Sequence, residues 1–177
     1  MLSIAAIIAQ AALDEGYIVR QSEVHGMAQR GGAVLAHLRI SDTNIASDLV
    51  PRGSADIIIS MEPLESLRYT QWLSPNGIII SAAEPLVNIN NYPDTENVYA
   101  MLRGFPHKLI QAGTLAKEAG QIKSVNMVMV GAASHFLPIQ AKSLENAINA
   151  MFAEKRPELV PVNEKAFRLG QQAAGKE

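Results

Sequence analysis

The stretch that decides the fold runs Asp56-Ile57-Ile58-Ile59-Ser60-Met61-Glu62-Pro63-Leu64-Glu65-Ser66-Leu67-Arg68-Tyr69 and resumes at Ile78-Ile79-Ile80. A short unbroken apolar run marks a strand covered on both faces, because a strand with one wet face would alternate. Pro63 suits the first helical position, where an N–H has no intrahelical partner anyway, and Glu65 suits a first turn rich in unpaired amides. A helix is therefore expected over residues 62–73. Pro75-Asn76-Gly77 then reads as a turn into a second doubly covered strand. Strand, helix and strand in that order imply a parallel sheet with right-handed crossovers.

Upstream, Val34, Ala36, Leu38 and Ile40 alternate with Leu35, His37 and Arg39, the period of a strand. Asp42-Thr43-Asn44 is a turn, and residues 45–50 are apolar enough to return as a partner, closed by Pro51-Arg52-Gly53. This predicts an antiparallel hairpin over residues 33–50. Earlier still, Ile4, Ile7, Ile8 and Ala11 repeat at helical spacing, and Gly16 is placed to end a helix at residues 2–15. Residues 17–21 read as a short strand.

Downstream, residues 84–96 hold Pro85, Pro93 and three asparagines without periodicity, a long loop. A short helix at 97–103 and a strand near 107–112 follow. Residues 125–137 are apolar nearly all round, so that helix should be central and buried. Leu144, Ala147, Ile148, Met151 and Phe152 give an amphipathic helix. The tail from Pro157 should add a helix on the outside or against a partner. The expectation is one domain over residues 1–177: a three-layer α/β/α sandwich, mostly parallel with one locally antiparallel hairpin, and a helical extension from about residue 140.

Composition narrows the function. Apolar residues make up 48% and charged residues 18%, with a net charge of −2 and 5% aromatics. That balance offers neither the basic face nor the stacking platforms of a nucleic-acid binder, and no Lys or Arg run suggests a membrane surface. Cysteine is absent, so the chain supplies no thiolates to an iron–sulfur cluster and no nucleophilic thiol. The four histidines, His25, His37, His107 and His135, show no close ligand spacing. No basic residue precedes Arg20, so the apolar first 13 residues lack the charged lead of a signal peptide, and a cytoplasmic protein is expected. There is no nucleophile elbow and no GxxxxGK[ST] loop.

The chemically dense stretch is Ser22-Glu23-Val24-His25-Gly26-Met27-Ala28-Gln29-Arg30-Gly31-Gly32. It groups a carboxylate, an imidazole, an amide, a guanidinium and three glycines, which suits a connection that touches a ligand or partner. Arg30 beside Gly31 and Gly32 can hold a phosphate or carboxylate, and His25 can exchange a proton near neutral pH. The plainer explanations are an Arg30–Glu23 surface pair, a His25 bonded to a backbone carbonyl and a Gln29 capping local backbone. Glu62 and Glu84 follow the two apolar strands, at the carboxyl ends where open parallel sheets bind ligands. Asn126, in an apolar helix, needs a partner, either within the fold or in a ligand.

Residues 22–32 followed by 33–40 resemble the signature region of the gamma-type subunit of 2-oxoacid:ferredoxin oxidoreductases, and most nearly that of the indolepyruvate enzymes' small subunit. Residues 62–69 and the stretch Val125-Asn126-Met127-Val128-Met129-Val130-Gly131-Ala132 agree with it, in the expected order. The resemblance implies a subunit inactive by itself. It would serve a complex that decarboxylates an aryl pyruvate oxidatively to an acyl-coenzyme A. Thiamine diphosphate and iron–sulfur clusters would sit on a large catalytic partner, with electrons passing to ferredoxin through that partner. Coenzyme A would lie at the subunit interface, and this chain alone would bind no cofactor. Glu23, His25, Gly26, Gln29, Arg30, Gly31, Gly32, Glu62 and Asn126 become its candidate ligand- or partner-binding residues, with no catalytic residue and no metal ligand. The alternative is a stand-alone α/β module that binds a nucleotide or other anion without catalysis.

The chain departs from the family at its start. Members begin with a strand and a Gly-x-Gly-Gly-Gln-Gly loop leading into the first helix, whereas Met1 falls where that loop should have ended. The reading is thus a fold lacking the family's first strand and Gly-rich loop, and isolated chains are expected to form a homo-oligomer because bare edges invite pairing.

Overall fold

The computed structural model describes residues 2–25, 34–87, 91–154 and 156–175. Helix α1 spans Leu2–Asp14, and its Ile4, Ile7, Ile8, Ala11 and Ala12 are all buried, as the spacing requires. Gly16 follows in the left-handed region at φ 87°, where glycine carries no Cβ penalty. Strand β1, Ile18–His25, then pairs antiparallel with β2, Val34–Ser41, from Ile18 opposite Ser41 to His25 opposite Val34.

This hairpin is not the expected one. β1 runs on through Ser22–His25, and β2 takes β1 as its partner, while residues 45–50 form no strand. Side chains of β2 hold that segment instead: Arg39 Nη1 donates to the Ser47 carbonyl at 2.9 Å, and the Val50 amide donates to His37 Nδ1 at 3.1 Å. A backbone tethered to side chains in this way is turned out of the ladder. Ile45 alone in the segment is buried, at 6% exposure.

The second sheet is parallel: β3, Ala55–Ser60, then β4, Leu73–Ala82, then β5, His107–Ile110, with β4 in the middle. Helix α2 between β3 and β4 is shorter than expected, Pro63–Arg68, and a single 3-10 turn, Thr70–Trp72, completes the connection. Pro75-Asn76-Gly77 lies within β4 and not before it. Ala55 pairs with Leu73 but Ile57 with Ile78, so the extra residues of β4 bulge out of register. Gly77 is required there, since a Cβ would stand 2.6 Å from the Ala55 carbonyl oxygen.

Helix α3, Thr95–Leu102, is capped by Asp94, whose carboxylate accepts from the Glu96 and Asn97 amides. After β5 comes α4, Ala112–Ala119, an element the sequence reading did not assign. Helix α5, Val125–Ala133, is buried at every position from Met127 to Ala133. Helices α6, Ala141–Ala153, and α7, Val160–Gly175, complete the chain. One apolar core joins α1, α4, α5, α6 and α7 with the inner ends of β4 and β5. Helices α2 and α3 pack on each other, and α2 also lies against β3 and β4.

The tail does not ride on the outside. Asn163, Ala166, Phe167, Gly170 and Ala174 make a buried stripe on α7, and Phe167 is fully buried. Small residues four apart let its backbone come down onto α5, so Phe167 fills the core.

Candidate functional site

Among the described residues, a groove of about 1210 Å³ runs between β2 and β3. All eight residues of β2 and all six of β3 line it, with Ile4, Ala5 and Ile8 of α1 and, at one end, Glu62 and Tyr92. Glu62 stands two residues beyond the end of β3 and is 6% exposed. Its Oε2 accepts from the Glu65 amide at 2.7 Å, making it the N-cap of α2 ahead of Pro63. Its Oε1 accepts a short hydrogen bond from the Tyr92 hydroxyl. Burial first, then this bond to a carboxylate, pushes the Tyr92 phenol above the ordinary tyrosine range. Ser60 fixes the turn: its Oγ donates to the Glu62 carbonyl at 2.6 Å and accepts from the Glu62 amide at 3.2 Å.

Glu84, beyond β4, is bound in the same manner. Its Oε1 accepts from the Gly113 amide at 2.9 Å and the Thr114 amide at 3.3 Å, in the first turn of α4. Gln111, the residue at that helix's own cap, makes no side-chain cap bond. Both acids at the strands' carboxyl ends therefore satisfy helix N-termini, where negative charge is favoured. Tyr99 donates to the Ala83 carbonyl at 2.6 Å and ties α3 to the same end of the sheet.

Other expected site residues are dispersed. Asn126 Nδ2 donates to Ser3 Oγ at 2.6 Å, so its partner belongs to the fold and joins α5 to α1. Glu23, half-buried in β1 opposite Ala36, accepts from Gln21 Nε2 at 2.5 Å. His25 ends β1, paired through its backbone with Val34. Gly26, Gln29, Arg30, Gly31 and Gly32 lie outside the described residues, in the connection between β1 and β2. At the hairpin end nearest that connection, Val24 is 53% and Val34 39% exposed. Glu62 lies in the groove and Asn126 does not. Sequence reasoning missed Tyr92 and His37. Tyr92 stands 30 residues from its carboxylate with no spacing signal, and the role of His37 exists only once residues 45–50 leave the ladder.

Among the described residues, no group of three or more His, Asp or Glu side chains is placed to hold a metal ion. Nor, among them, is any helix long and apolar enough to cross a membrane.

An open α/β fold with a signature connection between two paired strands and carboxylate-capped helices at the sheet's carboxyl end defines a class that comparison resolves. Residues 1–173 match the pyruvate ferredoxin/flavodoxin oxidoreductase family, and the chain belongs to it. It is 36% identical to the indolepyruvate oxidoreductase subunit IorB of Pyrococcus horikoshii, over 98% of this chain and 90% of that protein. It is 34% identical to the same subunit of Archaeoglobus fulgidus, over 96% and 87%. Among solved structures it is similar to the pyruvate oxidoreductase subunit PORC of Thermotoga maritima, at TM-score 0.68 and 25% identity over 97% of this chain and 88% of that one. The fold also matches 28% of a 2-oxoglutarate:ferredoxin oxidoreductase chain from Magnetococcus marinus, at TM-score 0.78 and 21% identity over 98% of this chain.

Proposed function

We propose that this chain is the small, cluster-free subunit of a 2-oxoacid:ferredoxin oxidoreductase acting on an aryl pyruvate such as indolepyruvate. The observation that carries this reading is the identity of 34–36% with indolepyruvate oxidoreductase subunits along nearly the whole chain. A chain without cysteine contributes no thiolate to a cluster, so electron transfer belongs to a large partner subunit and, through it, to ferredoxin. Thiamine diphosphate, which supplies the decarboxylating carbanion chemistry when bound, is held by that partner as well. The acids available here, Glu62 and Glu84, are already engaged by helix amides.

What this chain contributes is a surface. Residues 26–33 join in sequence the two strands β1 and β2, whose paired ends expose Val24 and Val34. Apolar side chains beside a charged, glycine-rich connection suit a partner contact with an anion held at its rim, and Arg30 is assigned to the pyrophosphate or carboxylate of coenzyme A or of the substrate. The protein acts in the cytoplasm.

Reconstitution tests this. The purified chain, given indolepyruvate, thiamine diphosphate, coenzyme A and an electron acceptor, should show no turnover. Adding a large cluster-bearing subunit should restore it. Turnover by the lone chain, or failure to associate with any such subunit, would sink the reading.

A further inference from the structure

A smaller hollow, of about 270 Å³, lies apart from the groove and shares no lining residue with it. It opens where two 3-10 turns meet, Ile122–Ser124 ahead of α5 and Pro157–Leu159 between α6 and α7. Backbone bonds set both walls. The Ser124 amide donates to the Gln121 carbonyl at 3.0 Å, and the Arg156 amide donates to the Phe152 carbonyl at 2.8 Å. Pro157 holds Arg156 out of the helical region, at φ −150° and ψ 65°, so the chain turns there before α7 begins. Asn163, in the first turn of α7 and only 3% exposed, also lines the hollow. Its Nδ2 donates to the Leu159 carbonyl at 2.9 Å. Among the described residues its Oδ1 has no hydrogen-bond partner, yet that oxygen is not sealed from solvent. An acceptor on so buried a residue calls for a donor.

Charge narrows the ligand. Lys123, Arg156 and Glu158 are exposed and line the same hollow. Among the described residues none of the three forms an ion pair, although both signs of charge border one space. Opposite charges held apart around a hollow complement a ligand that carries both. An inorganic anion would meet the two cations but also the Glu158 carboxylate and Asn163 Oδ1, neither of which can donate to it. A simple amine would meet Lys123 and Arg156. A zwitterion satisfies all four groups. The half-buried Phe152 and Leu159 add an apolar wall. The volume falls below the roughly 300 Å³ at which pockets for drug-sized ligands begin, so the ligand is small. We infer that this hollow binds a free α-amino acid with an apolar side chain. Its carboxylate lies on Arg156 and Lys123, its ammonium on Glu158 and Asn163 Oδ1, and its side chain against Phe152 and Leu159.

Calorimetric titration of the purified chain with L-phenylalanine tests this. Three comparison ligands each lack part of the pattern: 3-phenylpropionate has no ammonium, phenethylamine no carboxylate, and inorganic phosphate neither ammonium nor ring. L-phenylalanine should bind at least about tenfold more tightly than any of them, the worth of one charge-assisted hydrogen bond. Arg156→Gln should weaken L-phenylalanine about tenfold and leave phenethylamine unchanged, while Glu158→Gln should weaken L-phenylalanine and leave 3-phenylpropionate unchanged. Both side chains are exposed, so the fold is kept. No binding of L-phenylalanine at millimolar concentration would overturn the inference. Phosphate or 3-phenylpropionate binding as tightly as L-phenylalanine would overturn it by making this a site for anions, and phenethylamine doing so by making it a site for cations. Wild-type affinity for L-phenylalanine in both variants would overturn it by placing the amino acid elsewhere on the protein.

Discussion

Gly131 of α5 and Gly170 of α7 mark a crossing in which each helix rests on the other's backbone. A methyl group at Gly131 would lie 1.9 Å from the Phe167 carbonyl oxygen, and one at Gly170 would lie 1.9 Å from the Val128 carbonyl oxygen. No side chain intervenes to yield. Gly131→Ala or Gly170→Ala must therefore push the helices apart and disturb the fully buried Phe167 and Val128. Each should lower stability by about 1–3 kcal/mol or more, read as a lower urea midpoint. An unchanged midpoint would mean that the crossing is looser than described.

Glu62 and Tyr92 form the second test. Tyr92→Phe leaves a buried carboxylate oxygen without its donor and should cost about 1–3 kcal/mol. Glu62→Ala removes the α2 cap as well, at about 1–2 kcal/mol for the cap itself. A double-mutant cycle should show coupling, and simple additivity would refute the bond. The raised Tyr92 pKa also has a sign. The phenol stays protonated in the folded state beyond the ordinary value of 10.0. Stability should therefore fall as pH rises past about 10, where the unfolded chain's phenol ionises, and Tyr92→Phe should blunt that loss.

His37 makes the fold sensitive to mild acid. Burial lowers its pKa below 6.5, and its Nδ1 accepts the Val50 amide, a bond that a protonated ring cannot accept. With the folded pKa depressed, the unfolded state takes up the proton first, so stability is complete above about pH 6.5 and declines as pH falls below it. His37→Asn should flatten the slope between pH 7 and 5. A wild-type urea midpoint constant over that interval would refute the assignment. Glu145 adds a lower window. Arg168, 2.9 Å away, holds its carboxyl below the usual range. The α6–α7 pair is thus fully present above about pH 4.3 and lost below it.

The proposed partner surface predicts a separation of effects. Val24→Asp and Arg30→Ala should leave thermal stability within about 0.5 kcal/mol of wild type, as surface changes usually do. Both should weaken assembly with the large subunit, measured by co-purification and by indolepyruvate-dependent acceptor reduction. Full activity in both variants would remove the hairpin end from the interface.

Local pattern determined much of this protein. The helical period of Ile4, Ile7, Ile8 and Ala11 produced α1, the all-apolar stretch after Val125 produced a buried α5, and the isoleucine runs produced two parallel neighbours. The acids at their carboxyl ends were legible as well, though not their role as helix caps. Each of these depends on the residues within one element, and a period or a run records that directly.

Pairing and proximity were decided only in three dimensions. Residues 45–50 have the composition of a strand, yet β2 pairs with β1, because His37 and Arg39 hold that segment by its backbone. Pro75-Asn76-Gly77 has turn chemistry and became a bulge, because Gly77 meets Ala55 from the neighbouring strand. The tail entered the core because two glycines 39 positions apart, Gly131 and Gly170, coincide at one crossing. Such outcomes depend on which atoms are brought within a few ångströms by distant parts of the chain. No window of local sequence contains that distance, and only the packed fold assigns it.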